Sequence, residues 1–226
     1  MLALFSPLLG RPQPDWPPRT VQTGAVLPQP SAGLDPETAR FLDAGAPPIV
    51  FTLGASSAWA ARDFFLESLA ASRLLGRRAL LLVGTAANLA ALPSPLPDGV
   101  FAAVAAPYGP VFARAAAVVH PGGIGTTQIA LAAGRPMLIT PFAHDQHDNA
   151  ARATRLGVAL VLPRRAYAAA PVGAALGRLE REPAFAEATA RAAAAISRED
   201  GTAAACAAIE RLLLETGRPP EAGSAA

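Results

Sequence analysis

Between Ile49 and Pro163 six short apolar runs alternate with stretches of helical spacing: "IVFTL" (49–53), "ALLLV" (79–83), "VFAAVA" (100–105), "AAVVH" (116–120), "PMLITP" (136–141) and "VALVLP" (158–163). Each run is of strand length and apolar at successive positions rather than at every second one. A strand needs that pattern only when both of its faces are covered. Strands that alternate with helices and are buried on both faces form a parallel sheet between two helical layers. The pattern therefore predicts an α/β, doubly wound, Rossmann-like fold.

The remaining chain fits around that unit. "ARDFFLESLAASRLLG" (61–76) has apolar residues at helical spacing and closes on Gly76. After Pro163 the chain is alanine-rich with charges at helical spacing, which predicts two or three helices interrupted near Pro183 and Gly201. Residues 1–48 are rich in proline ("RPQPDWPP", "LPQPSAGLDP", "GAPP") and show no sustained period. They read as an interdomain linker, extended rather than core, with the domain over 49–216 and a flexible tail over 217–226.

Composition narrows the function classes. A chain of 226 residues with 52% hydrophobic content can bury one substantial core. It contains no lysine, so all 19 basic residues are arginine, against 17 acidic ones. The arginines are scattered, with adjacent pairs only at Arg77-Arg78 and Arg164-Arg165, so the electrostatic footprint of a nucleic-acid groove is missing. The apolar start lacks a basic segment and is broken at Pro7 and Pro12, which supports neither a signal peptide nor a membrane span. A soluble cytoplasmic protein is expected. Cys206, the sole cysteine, excludes an internal disulfide, and its alanine-rich helical setting predicts a buried structural thiol.

The chemistry concentrates where strands end. In an open parallel sheet, ligands bind at the carboxyl ends of the strands, where loops feed helix N-termini. "AAVVH" delivers "PGGIGTT" to the start of a helix, and glycines there let a backbone approach an anion whose charge the helix N-terminus attracts. Thr126 and Thr127 can cap that helix or donate to a phosphate oxygen. Two readings stay open on spacing alone: a pyrophosphate cradle, or a tight turn whose glycines pack helix on strand. Neither "GxGxxG" nor the lysine-containing P-loop is present. The next exit loop, "AHDQHDN" (143–149), carries Asp145 and Gln146, acceptors and a donor suited to sugar hydroxyls, although Asp145 or Asp148 can equally serve as a helix cap. "GASSAW" (54–59) supplies Gly54, Ser56 and Ser57, for phosphate or for capping. "AAPYGP" (105–110) suits the flat face of a base, with Tyr108 either stacking on it or buried in the core.

Taken together, "PPIVFTLGASS", "APYGPVFARAAAVVH" and "VVHPGGIGTTQIALAAGRPMLITPFAHDQHDN" resemble the C-terminal, donor-binding domain of GT-B glycosyltransferases. The branch is that of bacterial macrolide, rhamnolipid and sterol transferases and plant UDP-sugar transferases, and the motifs stand in family order from about residue 40 to 163. The resemblance implies one half of a GT-B fold. It implies that His120, Gly122, Gly123, Gly125 and Thr126 surround the donor diphosphate, that Gly54 to Ser56 lie against it from the other side, and that Ala105 to Tyr108 border the base. Asp145 and Gln146 would bind the donor sugar. It further implies a UDP or dTDP sugar as donor substrate, no other cofactor and no metal. The acceptor site and general base would lie in an N-terminal domain supplied by another chain or segment, and the face turned towards it would favour partner binding or self-association.

Three positions depart from the family pattern. Pro121 stands where many members carry a second histidine or a glutamine, Ile129 where many carry an acidic residue on the ribose, and Ala55 where a serine usually follows the glycine. All three histidines fall inside the donor motifs, so no candidate for the N-terminal base exists and the isolated chain is expected not to turn over. The alternative is a non-catalytic nucleotide-sugar-binding module or a degenerate fragment. A nucleotide-sugar epimerase of related architecture would need acid and base residues on both domains.

Overall fold

The computed structural model describes residues 1–28, 33–61 and 63–215, with the side chains of Ala55 and Ser56 outside that description. The expected tail, 217–226, lies outside the described residues. Two short strands, β1 (Leu2–Ala3) and β2 (Val21–Gln22), pair in parallel ahead of helix α1 (Pro36–Asp43). The main unit then runs β3 (Ile49–Thr52), α2 (Gly54–Ser57), α3 (Phe64–Leu74), β4 (Ala79–Leu82), α4 (Ala86–Ala90) and β5 (Val100–Ala103). Its second half is α5 (Tyr108–Phe112), β6 (Ala117–His120), α6 (Ile124–Ala132), β7 (Met137–Ile139), α7 (Gln146–Arg155) and β8 (Ala159–Val161). Three helices close the described chain, α8 (Ala169–Arg181), α9 (Pro183–Ile196) and α10 (Gly201–Glu215).

All six expected strands form one parallel sheet in the order β5-β4-β3-β6-β7-β8. Their side chains alternate between two cores. Val50, Leu80, Leu82, Val118, Met137 and Ile139 face the layer holding α5, α6, α7 and α9. Ile49, Phe51, Leu81, Val119 and Leu138 face α3 and α8. Both faces of the four central strands β4, β3, β6 and β7 are buried, which is why their runs are continuously apolar, while the edge strands β5 and β8 are partly exposed.

The proline-rich segment departs from the expectation of a linker outside the core. Leu9, Ala25 and Leu42 are buried in the same core as α6 and α9. Polar side chains from the domain hold the segment down: Gln128 Oε1 accepts the Ser6 N–H at 2.9 Å, and Glu199 accepts from Ser6 Oγ at 2.6 Å and from the Ala25 N–H at 2.7 Å. Gly201 is required beside them, because a Cβ there would stand 2.4 Å from the Ala25 carbonyl oxygen. A segment that buries single residues between prolines leaves no period to detect. The expectation for Cys206 is also corrected: its thiol is exposed, on the outer side of α10.

Candidate functional site

The first half of the sheet is built outward from β3 to β5, and the chain then returns to lay β6 on the other side of β3. Loops leaving β3 and β6 therefore diverge, and such a reversal opens a crevice at the strands' carboxyl ends. Gly54 follows β3 with φ +63°, and a Cβ on it would stand 4.0 Å from Thr126 Oγ1. The two expected phosphate-contacting segments thus face each other. Gly123 occupies the N-cap of α6 without any side-chain capping bond. A Cβ built on Gly123 or Gly125 would meet no atom within 4 Å. The first-turn N–H groups of a nine-residue helix are consequently open to an anion.

The turn that presents these groups is over-determined. Gly122 has φ +100°, and a Cβ there would lie 2.8 Å from Ile139 Cγ2 and 3.0 Å from the Gln146 carbonyl oxygen. Only glycine fits both the dihedral and the space. His120 fixes the same turn from below, accepting the Gly122 N–H at Nδ1 over 3.1 Å. It is fully buried, and desolvation lowers its pKa to about 3. The ring is therefore neutral with its proton on Nε2, which finds no partner among the described residues. His120 acts through the backbone of the turn and presents no exposed nitrogen.

The β7 exit lies alongside because β7 pairs with β6. Asp145 is the exposed N-cap residue of α7, but its side chain makes no capping bond. It accepts instead from Asn149 Nδ2 at 2.7 Å, and the same amide reaches the Gly122 carbonyl at 2.9 Å. Asp148 pairs with Arg152 at 2.6 Å. Gln146 is buried, and its Oε1 is used by the protein's own N–H groups of Phe142 and Ala143, at 2.7 and 3.0 Å. Its Nε2 points towards Ser57 Oγ, 3.5 Å away on the β3 exit. Gln146 thus shapes the loop between the two exits, while Asp145 offers its carboxylate to solvent.

Next to the glycine crevice opens an apolar cavity of about 910 Å³. Thr52, Gly54, the Ala105–Tyr108 loop and Ile129 line it, and Leu27 and Pro28 reach in from the N-terminal segment. Tyr108 is pinned at both ends, its ring stacked on Phe112 at 4.8 Å and its hydroxyl 2.8 Å from Thr52 Oγ1. Burial raises its pKa, so the phenol stays protonated. Thr52 Oγ1 also accepts the Gly54 N–H at 3.2 Å, which couples the cavity wall to the phosphate-facing turn.

A strand-reversal crevice, an open glycine helix, an adjoining acidic loop and an apolar chamber thus meet at one edge of the sheet, and comparison with known proteins defines the family. Residues 80–209, more than half of the chain, match the model of the erythromycin biosynthesis protein CIII-like C-terminal domain. The chain belongs to this family. The EryCIII-like domain is a glycosyltransferase C-terminal domain, and its relatives agree. The vancomycin aglycone glucosyltransferase of Amycolatopsis orientalis is 38% identical over 198 residues, 86% of this chain and 45% of that protein. The O-mycaminosyltylonolide 6-deoxyallosyltransferase of Streptomyces fradiae is 35% identical over 213 residues, 91% of this chain and 48% of that protein. The crystal structure of the kitacinnamycin glycosyltransferase superposes with a TM-score of 0.77 at 26% identity, over 93% of this chain and 54% of that one. The chain spans about half the length of the relatives it matches, and its doubly wound sheet is one half of a GT-B fold.

Of the residues expected from the sequence, the fold gathers Gly54, Gly122, Gly123, Gly125 and Thr126 at one crevice, with Asp145 and Gln146 beside it. The Ser56 side chain lies outside the described residues. Sequence reasoning missed Thr52, Asn149 and the Leu27–Pro28 wall as contributors to the site. Asn149 had a signal, its i,i+4 spacing from Asp145 on one helix; Thr52 had only its position at a strand end. Among the described residues no cluster of three His, Cys, Asp or Glu could hold a metal ion, and no helix is long and apolar enough to cross a membrane.

Proposed function

We infer that this chain is the donor-binding half of a glycosyltransferase, holding a UDP or dTDP sugar for hexosyl transfer. The observation that carries the reading is a juxtaposition. The unobstructed N-terminus of α6 faces Gly54 at the mouth of the 910 Å³ apolar cavity. A diphosphate on the Gly123–Thr126 turn would place its base in that cavity and its sugar towards Asp145. The N–H groups and helix dipole there are aimed at the charge that grows on the departing diphosphate, the group needing stabilisation in glycosyl transfer. Transfer also needs a base for the acceptor hydroxyl. His120 is buried and neutral and does not serve as that base; the transferase reading assigns the base and the acceptor pocket to an N-terminal acceptor domain.

Thermal unfolding of the chain with UDP, dTDP and their glucose conjugates tests the reading. Ligand at about 100 times its dissociation constant stabilises the native state by roughly 2.7 kcal/mol, a clear rise in melting temperature. No shift with any of them in a cooperatively melting chain sinks the donor assignment. A second reading, a nucleotide-sugar-binding module without turnover, is favoured by Pro121 and Ile129. Pro121 has no N–H to offer at the turn, and Ile129 puts an alkyl group into the cavity wall where an acidic residue is common. Co-expression with an acceptor-domain partner separates the two, since the transferase reading requires a stable complex that turns over donor.

A further inference from the structure

A second crevice, of about 420 Å³, lies between the proline-rich segment and the β7 exit. One wall is Ile124, the first residue of α6, with Asp145 and Asn149 of the β7 exit; the other is Phe5 and Trp16 of the proline-rich segment. Trp16 is half-buried, and its ring meets the edge of Phe5 at 5.9 Å and 71°, which orients the indole. Arg152 fastens the two walls together, donating to Asp148 at 2.6 Å and to the Leu9 carbonyl at 2.9 Å. We propose that Trp16, contributed by the segment that reads as a linker, is the specificity-determining wall on the sugar side of the donor site.

The chemistry of the walls selects the occupant. An indole beside an exposed carboxylate is a surface for a group with one C–H face and hydroxyls at its rim. The exposed Asp145 carboxylate repels a second phosphate, and Arg152 is already paired with Asp148. Asp145 accepts from Asn149 through Oδ2 at 2.7 Å, which fixes its plane and leaves Oδ1 for a sugar hydroxyl. Position agrees with chemistry. Ile124 directly follows the Gly123 cap where the diphosphate would sit, so a sugar on the β-phosphate enters this crevice while the base enters the other.

This inference rests on the donor-site reading, and calorimetry separates them. The full chain is titrated with UDP, UDP-glucose, dTDP and dTDP-glucose, then again as Trp16→Leu and Trp16→Phe. The expected result is that Trp16→Leu weakens the preferred sugar nucleotide roughly tenfold, about 1.4 kcal/mol, leaves the bare diphosphate within about twofold, and is largely rescued by phenylalanine. Equal loss for diphosphate and sugar nucleotide, no loss for either, or a native chain that binds both alike would each overturn the role of Trp16 while leaving the donor site standing. Failure of the native chain to bind any of the four overturns both. Should Trp16→Leu not fold, Trp59→Phe leaves Trp16 as the sole tryptophan. Its emission must then respond to the sugar nucleotide beyond the response to the diphosphate; identical responses refute the proposal.

Discussion

Lowering the pH should weaken this fold through His120. The ring is fully buried, accepts the Gly122 N–H at Nδ1 and is held neutral, with a folded-state pKa of about 3 against 6.5 for the free side chain. A histidine whose pKa is depressed on folding takes up its proton only in the unfolded chain over the intervening range. The associated stability is thus intact above pH 6.5, falls as pH drops below it, and is lost in full below about pH 3. The linkage relation gives a loss of about 0.8 kcal/mol at pH 6 and about 2 kcal/mol at pH 5, both relative to pH 8. Other groups titrate too, so the measurement is a difference. His120→Asn keeps an acceptor near the place of Nδ1 and cannot be protonated in this range. Its own cost, from lost packing, is independent of pH. Urea unfolding of both proteins at pH 8, 6 and 5 should show the native chain's advantage shrinking by about 2 kcal/mol between pH 8 and pH 5. A gap constant to within about 0.5 kcal/mol would refute the claim that a neutral, desolvated imidazole holds the turn.

The glycines of the site should separate into two kinds. Gly122→Ala meets both a positive φ and contacts at 2.8 and 3.0 Å, and should destabilise the fold by about 3 kcal/mol in denaturant titrations. Gly125→Ala adds its methyl to open space in the first turn of α6, so the melting temperature should hold or rise slightly while calorimetric affinity for UDP or dTDP falls at least tenfold. Glu199→Ala leaves Ser6 Oγ and the Ala25 N–H without their acceptor and should cost about 1–3 kcal/mol. Limited proteolysis should then cut within residues 1–28 faster than in the native chain, and an unchanged cleavage rate would show that those bonds do not hold the segment.

Much of the fold was legible before any coordinates because burial on both faces leaves a mark that residue types alone carry. Each expected strand lies within its apolar run, shortened by one or two residues at one or both ends. The glycines were legible for a related reason: a turn demanding φ +100° or an approach within 3 Å admits one residue type, and that type can be read in a string. Side-chain commitments were not legible. The Gln146 oxygen accepts the N–H groups of Phe142 and Ala143, a commitment that its place in the exit loop did not announce. His120, expected around the diphosphate, accepts the Gly122 N–H at Nδ1, a bond its residue type allows and does not specify. A residue type specifies which bonds a side chain can make; only the positions of its neighbours decide which it does make.

The sequence by itself thus determined the parallel doubly wound sheet, the glycine helix at its carboxyl edge and the family to which the chain belongs, since each depends on local pattern and residue type. Tertiary structure alone decided that β6 returns to β3 and opens the crevice between Gly54 and Thr126. It alone brought residues 1–28 back onto the domain, where Leu9 fills the core, Leu27 and Pro28 wall one cavity, and Trp16 walls the other. Those contacts join residues more than a hundred positions apart, as Ser6 is joined to Gln128 and Glu199. Such pairings arise from the closure of the whole chain around its core, and no local period in the sequence encodes them.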